Sequence, residues 1–117
     1  MLFRLLIVLL QLYYSFQWCR FNTISDSSIS GINEVDFSPD GQYVAVASGS
    51  AKKVVVYNFF TFNPVWSQTY AGNMNTAKFS RLGGYMAVGT TGSDTVTVYS
   101  VPGFAVYATF SAFNVSA

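Results

Sequence analysis

The sequence predicts an all-β chain, two four-stranded antiparallel units behind an N-terminal hydrophobic helix. Three observations carry this. A stretch of the chain repeats itself 42 residues later, the composition favours pleated surfaces, and turn residues punctuate short apolar runs at regular intervals. Aromatic residues make up 18% of the chain, led by eleven Phe and eight Tyr, and such residues suit half-buried strands better than helices. At 117 residues there is room for a single core.

The repeat is read first. Val35 to Asn58, VDFSPDGQYVAVASGSAKKVVVYN, aligns without gaps on Ala77 to Ser100, AKFSRLGGYMAVGTTGSDTVTVYS. Nine of the 24 aligned positions are identical, including Phe37/Phe79, Gly41/Gly83, Tyr43/Tyr85, Ala45/Ala87 and Tyr57/Tyr99. Residues so related should hold equivalent places, so Tyr43 and Tyr85 are expected in like surroundings.

In the first copy, Ile32 to Phe37 reads as a short strand, and Ser38-Pro39-Asp40-Gly41 as the turn that follows it. There Pro presets φ, Asp bonds its own backbone and Gly accepts the left-handed conformation. Gln42 to Ser48 is the second strand and Lys53 to Phe59 the third, both apolar on both faces, with a turn at Gly49 to Ala51 between them. Pro64 lacks the amide hydrogen a central strand needs, so Val65 to Tyr70 is predicted to be an outer, edge-type strand. The second copy repeats the order with Met74 to Phe79, Gly84 to Thr90, Thr95 to Val101 and Phe104 to Phe110.

Strands apolar on both faces need cover on both sides, and a flat sandwich would leave one face polar. Four strands per unit with a period in the low forties instead describe β-propeller blades, each stacked on its neighbours. The chain divides into a leader (1–19), a linker (20–31), blade 1 (32–72), blade 2 (73–112) and the start of a third repeat (113–117), whose Phe113-Asn114 echoes Ile32-Asn33 and Met74-Asn75. Propellers close with about four to eight blades, so the chain reads as a fragment of a longer propeller or as a unit whose copies complete one another.

With these residues in view, FSPDGQYVAVAS followed by KKVVVYN resembles the core of a WD40 repeat, and is similar to YVTN-type and quinoprotein-like propeller repeats. The resemblance covers Ile32 to Phe110. The Trp-Asp pair that ends the third strand of a WD40 repeat is replaced by Tyr57-Asn58 and Tyr99-Ser100, and the Gly-His pair has no match in a chain without His. The Asp of the turn after the second strand is matched by Asp94, with Lys52 at that place in the first copy. The resemblance implies a platform for protein–protein interaction.

The leader, Met1 to Trp18, has one positive charge at Arg4 and an apolar stretch centred on Leu5 to Leu10, the layout of a secretory signal or, if retained, a membrane anchor. A secreted or membrane-anchored location is expected from it, with membrane contact only if it is kept. If retained against the repeats, it would cover apolar surface that they leave open.

Charge and chemistry narrow the function. Six basic against five acidic residues, with no basic run, lack the electrostatic footprint of a nucleic-acid binder. Cys19 is the only cysteine, which excludes an internal disulfide and a cysteine-rich zinc site. With no His, no activated Ser or Cys arrangement and no paired carboxylates at fixed spacing, no catalytic, cofactor or metal residue is assigned. Asp26, Glu34 and Asp36 read as surface charge, Asp40 and Asp94 as turn residues, and Lys52 and Lys53 as a solvated hairpin. Asn114-Val115-Ser116 fits a glycosylation acceptor, although its echo of Asn33 and Asn75 favours a structural role. The expected function is a non-catalytic interaction scaffold with a protein partner, and the alternative is a subunit that self-associates into rings or filaments.

Overall fold

The computed structural model describes residues 23–92 and 94–111. The leader with its expected helix, Asn114 and the start of the third repeat lie outside the described residues. Within them the chain forms eight strands: β1 (Ile32–Phe37), β2 (Tyr43–Ser48), β3 (Lys53–Asn58), β4 (Pro64–Thr69), β5 (Asn73–Phe79), β6 (Tyr85–Thr91), β7 (Thr95–Ser100) and β8 (Val106–Ser111). They make two antiparallel sheets, ordered β1-β2-β3-β4 and β5-β6-β7-β8. These are the two predicted blades.

Local chemistry explains the hairpins. At the first turn Gly41 N donates to Ser38 O at 2.9 Å, and Gly41 sits at φ +76°. The Asp40 carboxylate accepts from Ser38 Oγ at 2.6 Å and from Gln42 N at 3.0 Å, an Asx-type lock. The second copy keeps the frame: Gly83 N donates to Ser80 O at 2.9 Å, with Gly83 at φ +81°. The correspondence extends to backbone conformation, within the aligned window and just beyond it. Lys52 and Asp94 are both left-handed (φ 57° and 50°), as are Phe62 and Phe104 (φ 61° and 53°), and each pair is 42 residues apart.

Register follows the same rule. The β1–β2 ladder slips between Ile32 and Glu34, and the β5–β6 ladder between Met74 and Thr76, so Asn33 and Asn75 each occupy a bulge. Pro64 begins the outer strand β4, opposite Tyr57, where a missing amide costs nothing. The fourth strand of the second blade starts at Val106, later than the predicted Phe104. With its left-handed φ, Phe104 leaves the strand and turns into the core.

The core lies between the blades. The front face of blade 1, through Ala45, Ala47, Val54 and Val56, meets the back face of blade 2, through Met74, Ala77, Met86, Val88 and Tyr99. Phe104 plugs this seam, stacked on Trp66 at 5.4 Å between centroids and edge-on to Tyr43 at 5.7 Å. A second, smaller cluster sits on the back of blade 1, where Val44, Val46, Val55 and Tyr57 pack under Ile24 and Ile29. Ile24 and Ile29, within the segment expected as a linker, thus pack on the back of blade 1.

Tyr43 and Tyr85 do not share surroundings, contrary to expectation. Each opens the second strand of its sheet, opposite Asn58 and Ser100 respectively. Yet Tyr43 faces blade 2, whereas Tyr85 is 41% exposed beside Tyr107. Place within the sheet repeats, but the neighbour does not.

Candidate functional site

Among the described residues two sheet faces lie outside the seam, the front of blade 2 open and the back of blade 1 partly covered, and the repeat explains both. The back of blade 1 corresponds to the face of blade 2 that meets blade 1, and the front of blade 2 to the face of blade 1 that meets blade 2. Each carries side chains of the kind buried at the inter-blade seam.

On the back of blade 1, Ile24, Ile29, Val35, Phe37, Tyr57 and Phe62 help line an apolar cavity of about 300 Å³. Its outer half is roofed by the segment ahead of β1. There the Tyr57 hydroxyl donates to Asp26 Oδ2 at 2.6 Å and Lys53 Nζ to Ser28 Oγ at 3.0 Å. Hydrogen bonds from Ser28 and Tyr57 hold the Asp26 carboxyl down at about 2, and burial raises the Tyr57 phenol well above its ordinary value. Tyr99, 42 residues beyond Tyr57, makes the same kind of contact, its hydroxyl hydrogen-bonding that of Tyr70 ahead of β5. Its inner half is open, with Ile32, Val35 and Phe37 each about half exposed.

On the front of blade 2 lies a cavity of about 370 Å³, lined by Lys78, Tyr85, Ala87, Val98, Tyr107 and Phe110 among others. Tyr107 and Phe110 are well exposed, and the Tyr85 and Tyr107 rings lie 4.8 Å apart.

The inner strands are joined by carboxylates. Glu34 Oε1 accepts from Thr76 Oγ1 and from Ala77 N at 3.1 Å, and Asp36 Oδ2 accepts from Phe79 N at 2.8 Å. These acids satisfy amides along the free inner edge of β5, which its own sheet leaves unpaired. The hydrogen bond from Thr76 lowers the Glu34 pKa, with Lys78 Nζ 3.6 Å from Oε2 adding to the effect. Asn33 Nδ2 completes the clasp by donating to Met74 O at 2.6 Å.

The structure thus changes what Asp26, Glu34 and Asp36 are. Sequence spacing presents them as surface charge, but each is a half-buried or bridging acceptor. Phe104 was missed as well. Its match with Phe62 at the 42-residue offset was the available signal, lying just beyond the aligned window. Asp40 serves its turn as expected, and Asp94 sits in a left-handed turn position. Among the described residues no group of three or more His, Cys, Asp or Glu is placed to hold a metal ion. Nor, among them, is any helix long and apolar enough to cross a membrane.

No family model matches the sequence, and no curated protein matches it. The fold has close likenesses among solved structures. The WD40 repeats of RRP9 superpose with a TM-score of 0.68 at 12% identity over 77% of this chain. Hydrazine synthase of Kuenenia stuttgartiensis superposes with a TM-score of 0.62 at 17% identity, again over 77%. The chain spans 28% and 26% of those two chains respectively. Its described part is a partial WD40-like β-propeller of two blades.

Proposed function

We propose that this chain serves as a non-catalytic WD40-like scaffold for protein–protein interaction, acting as part of a larger propeller. The observation that carries the reading is the front of blade 2, whose positions match the buried seam of blade 1 while Val96, Tyr107 and Phe110 stand exposed. Repeat units of this kind cannot bury both faces alone, so they gain stability and an extended binding surface from neighbours. The likeness of the fold to WD40 repeats supports the interaction role in general and names no partner. The test is to sequence the full transcript. Further units of about 42 residues would support the reading, whereas a stop directly after Ala117 in a stable, dispersed monomer would overturn it.

A second reading is favoured by the repeat correspondence itself, since the two faces outside the seam belong to one chain. Copies meeting face to face would form rings or filaments. Light scattering and electron microscopy of the 117-residue chain decide this, and a folded monomer at high concentration would end it. We further propose that residues 1–19 direct the chain to the secretory pathway or anchor it. N-terminal sequencing of the mature protein checks this, with a start near Arg20 expected for a cleaved signal.

A further inference from the structure

We infer that the front of blade 2 docks a β-sheet face whose inner strand carries a carboxylate opposite Lys78. The inference rests on the scaffold reading and specifies the chemistry of the partner at one face.

The seam between the blades is the template. Blade 1 presents Ala45, Ala47, Val54 and Val56, all fully buried against blade 2. The same positions in blade 2 are Ala87, Gly89, Val96 and Val98, equally small or β-branched, on a sheet with the same strand order. A surface built like a buried seam, with Val96 42% exposed and Ala87 and Val98 only half-buried, marks a contact site.

The details of the face differ from the template, and the differences describe the partner. Trp66, which fills the seam from β4, corresponds to Ala108, which leaves that part of the face shallower than the template. Gln68 corresponds to Phe110 and Val65 to Tyr107, which places aromatic contacts towards the outer rim.

Charge is the sharpest difference. Glu34 and Asp36, the acceptors that clasp β5, correspond to Thr76 and Lys78. An ammonium has three donors and no acceptor, so Lys78 cannot repeat what Asp36 does. Its side chain is 65% exposed and shares only a 3.6 Å contact with Glu34, leaving donors free for a second carboxylate. A partner with acids along its inner strand is complementary, and one with Lys or Arg there is repelled.

The test duplicates residues 70–111 in tandem between Ser111 and Ala112 of the full chain, with Tyr85 and Tyr107 of the duplicate changed to Phe. The duplicate supplies a sheet back of the kind that the template packs against the front of blade 1. Position 78 is then Lys or Glu in the native blade and in the duplicate, giving four combinations. The readout is chemical labelling of native Tyr85 and Tyr107 at low and high salt.

Both opposite-charge combinations should protect the tyrosines about three-fold better than both like-charge ones, the size expected of a partly exposed ion pair, and salt should narrow the gap. Protection without charge preference would overturn the inference and leave the scaffold reading standing. No protection in any combination would overturn the inference and count against blade docking on this face altogether.

Discussion

Blade 1 and blade 2 carry the same strand order, the same turns and matching left-handed residues, yet one has its front sealed and the other has it open. The contrast is clearest at the tyrosines that open their second strands. Tyr43 packs edge-on to Phe104, while Tyr85 stands 41% exposed. What a repeated residue contributes therefore depends on the sheet beside it as much as on its own place in the repeat.

Substitutions at repeated positions turn this contrast into measurements. The largest difference is expected at Ala45 and Ala87. Ala45→Asp would put an unpaired carboxylate at a fully buried point of the seam and cost about 4 kcal/mol or more, preventing stable folding. Ala87→Asp, on the open front, should cost about 1 kcal/mol or less. Urea unfolding of both variants checks this, and equal losses would mean the front of blade 2 is covered.

Phe104 and Phe62 come next. Removing the buried Phe104 ring should cost about 3 to 5 kcal/mol, because the cavity lies between Trp66 and Tyr43. Phe62 is only half-buried on the back of blade 1, and its loss should cost roughly half as much. If Phe62→Ala proves as damaging, a neighbour seals the back of blade 1 too.

Smaller still are the turns, where the blades should agree. Gly41→Ala and Gly83→Ala each force an L-residue into the left-handed region, the new Cβ meeting open space at Gly41 and ordinary contact with Pro39 at Gly83, at a cost of about 1 to 2 kcal/mol. Unequal losses would show that the two turns are not equivalent.

The most local effect is acid. The Asp26 carboxyl is held at about 2, below its ordinary 3.8, so its contribution is intact above about pH 4 and is lost as pH falls through about 2. In the corresponding contact ahead of blade 2, where Tyr70 meets Tyr99, burial pushes the Tyr70 phenol up, far from that range. Acidification should thus raise amide exchange around Asp26 and Ser28 before it does so around Tyr70, and Asp26→Asn should remove the difference.

Much of this was legible in the sequence because it is local. The turn at Ser38 to Gly41, the edge position of β4 and the pairing of β2 with β3 follow from Pro, Asp, Gly and alternating apolar residues within a few positions of one another. The inter-blade clasp was not. Glu34 and Asp36 look like solvent charges in a short strand, and only the approach of β5 brings free amides within their reach. Phe104 likewise reads as the start of a strand until its left-handed φ sends the ring into the seam.

By itself the sequence determined the number of sheets, their strand order and the positions that repeat, since short-range turn chemistry and period-two apolarity act within one blade. Only the tertiary structure decided which copies of those positions are buried, because burial and carboxylate–amide pairing depend on a second sheet brought close by contacts some forty residues apart. That is why Ala45 lies in a core and Ala87 on an open face.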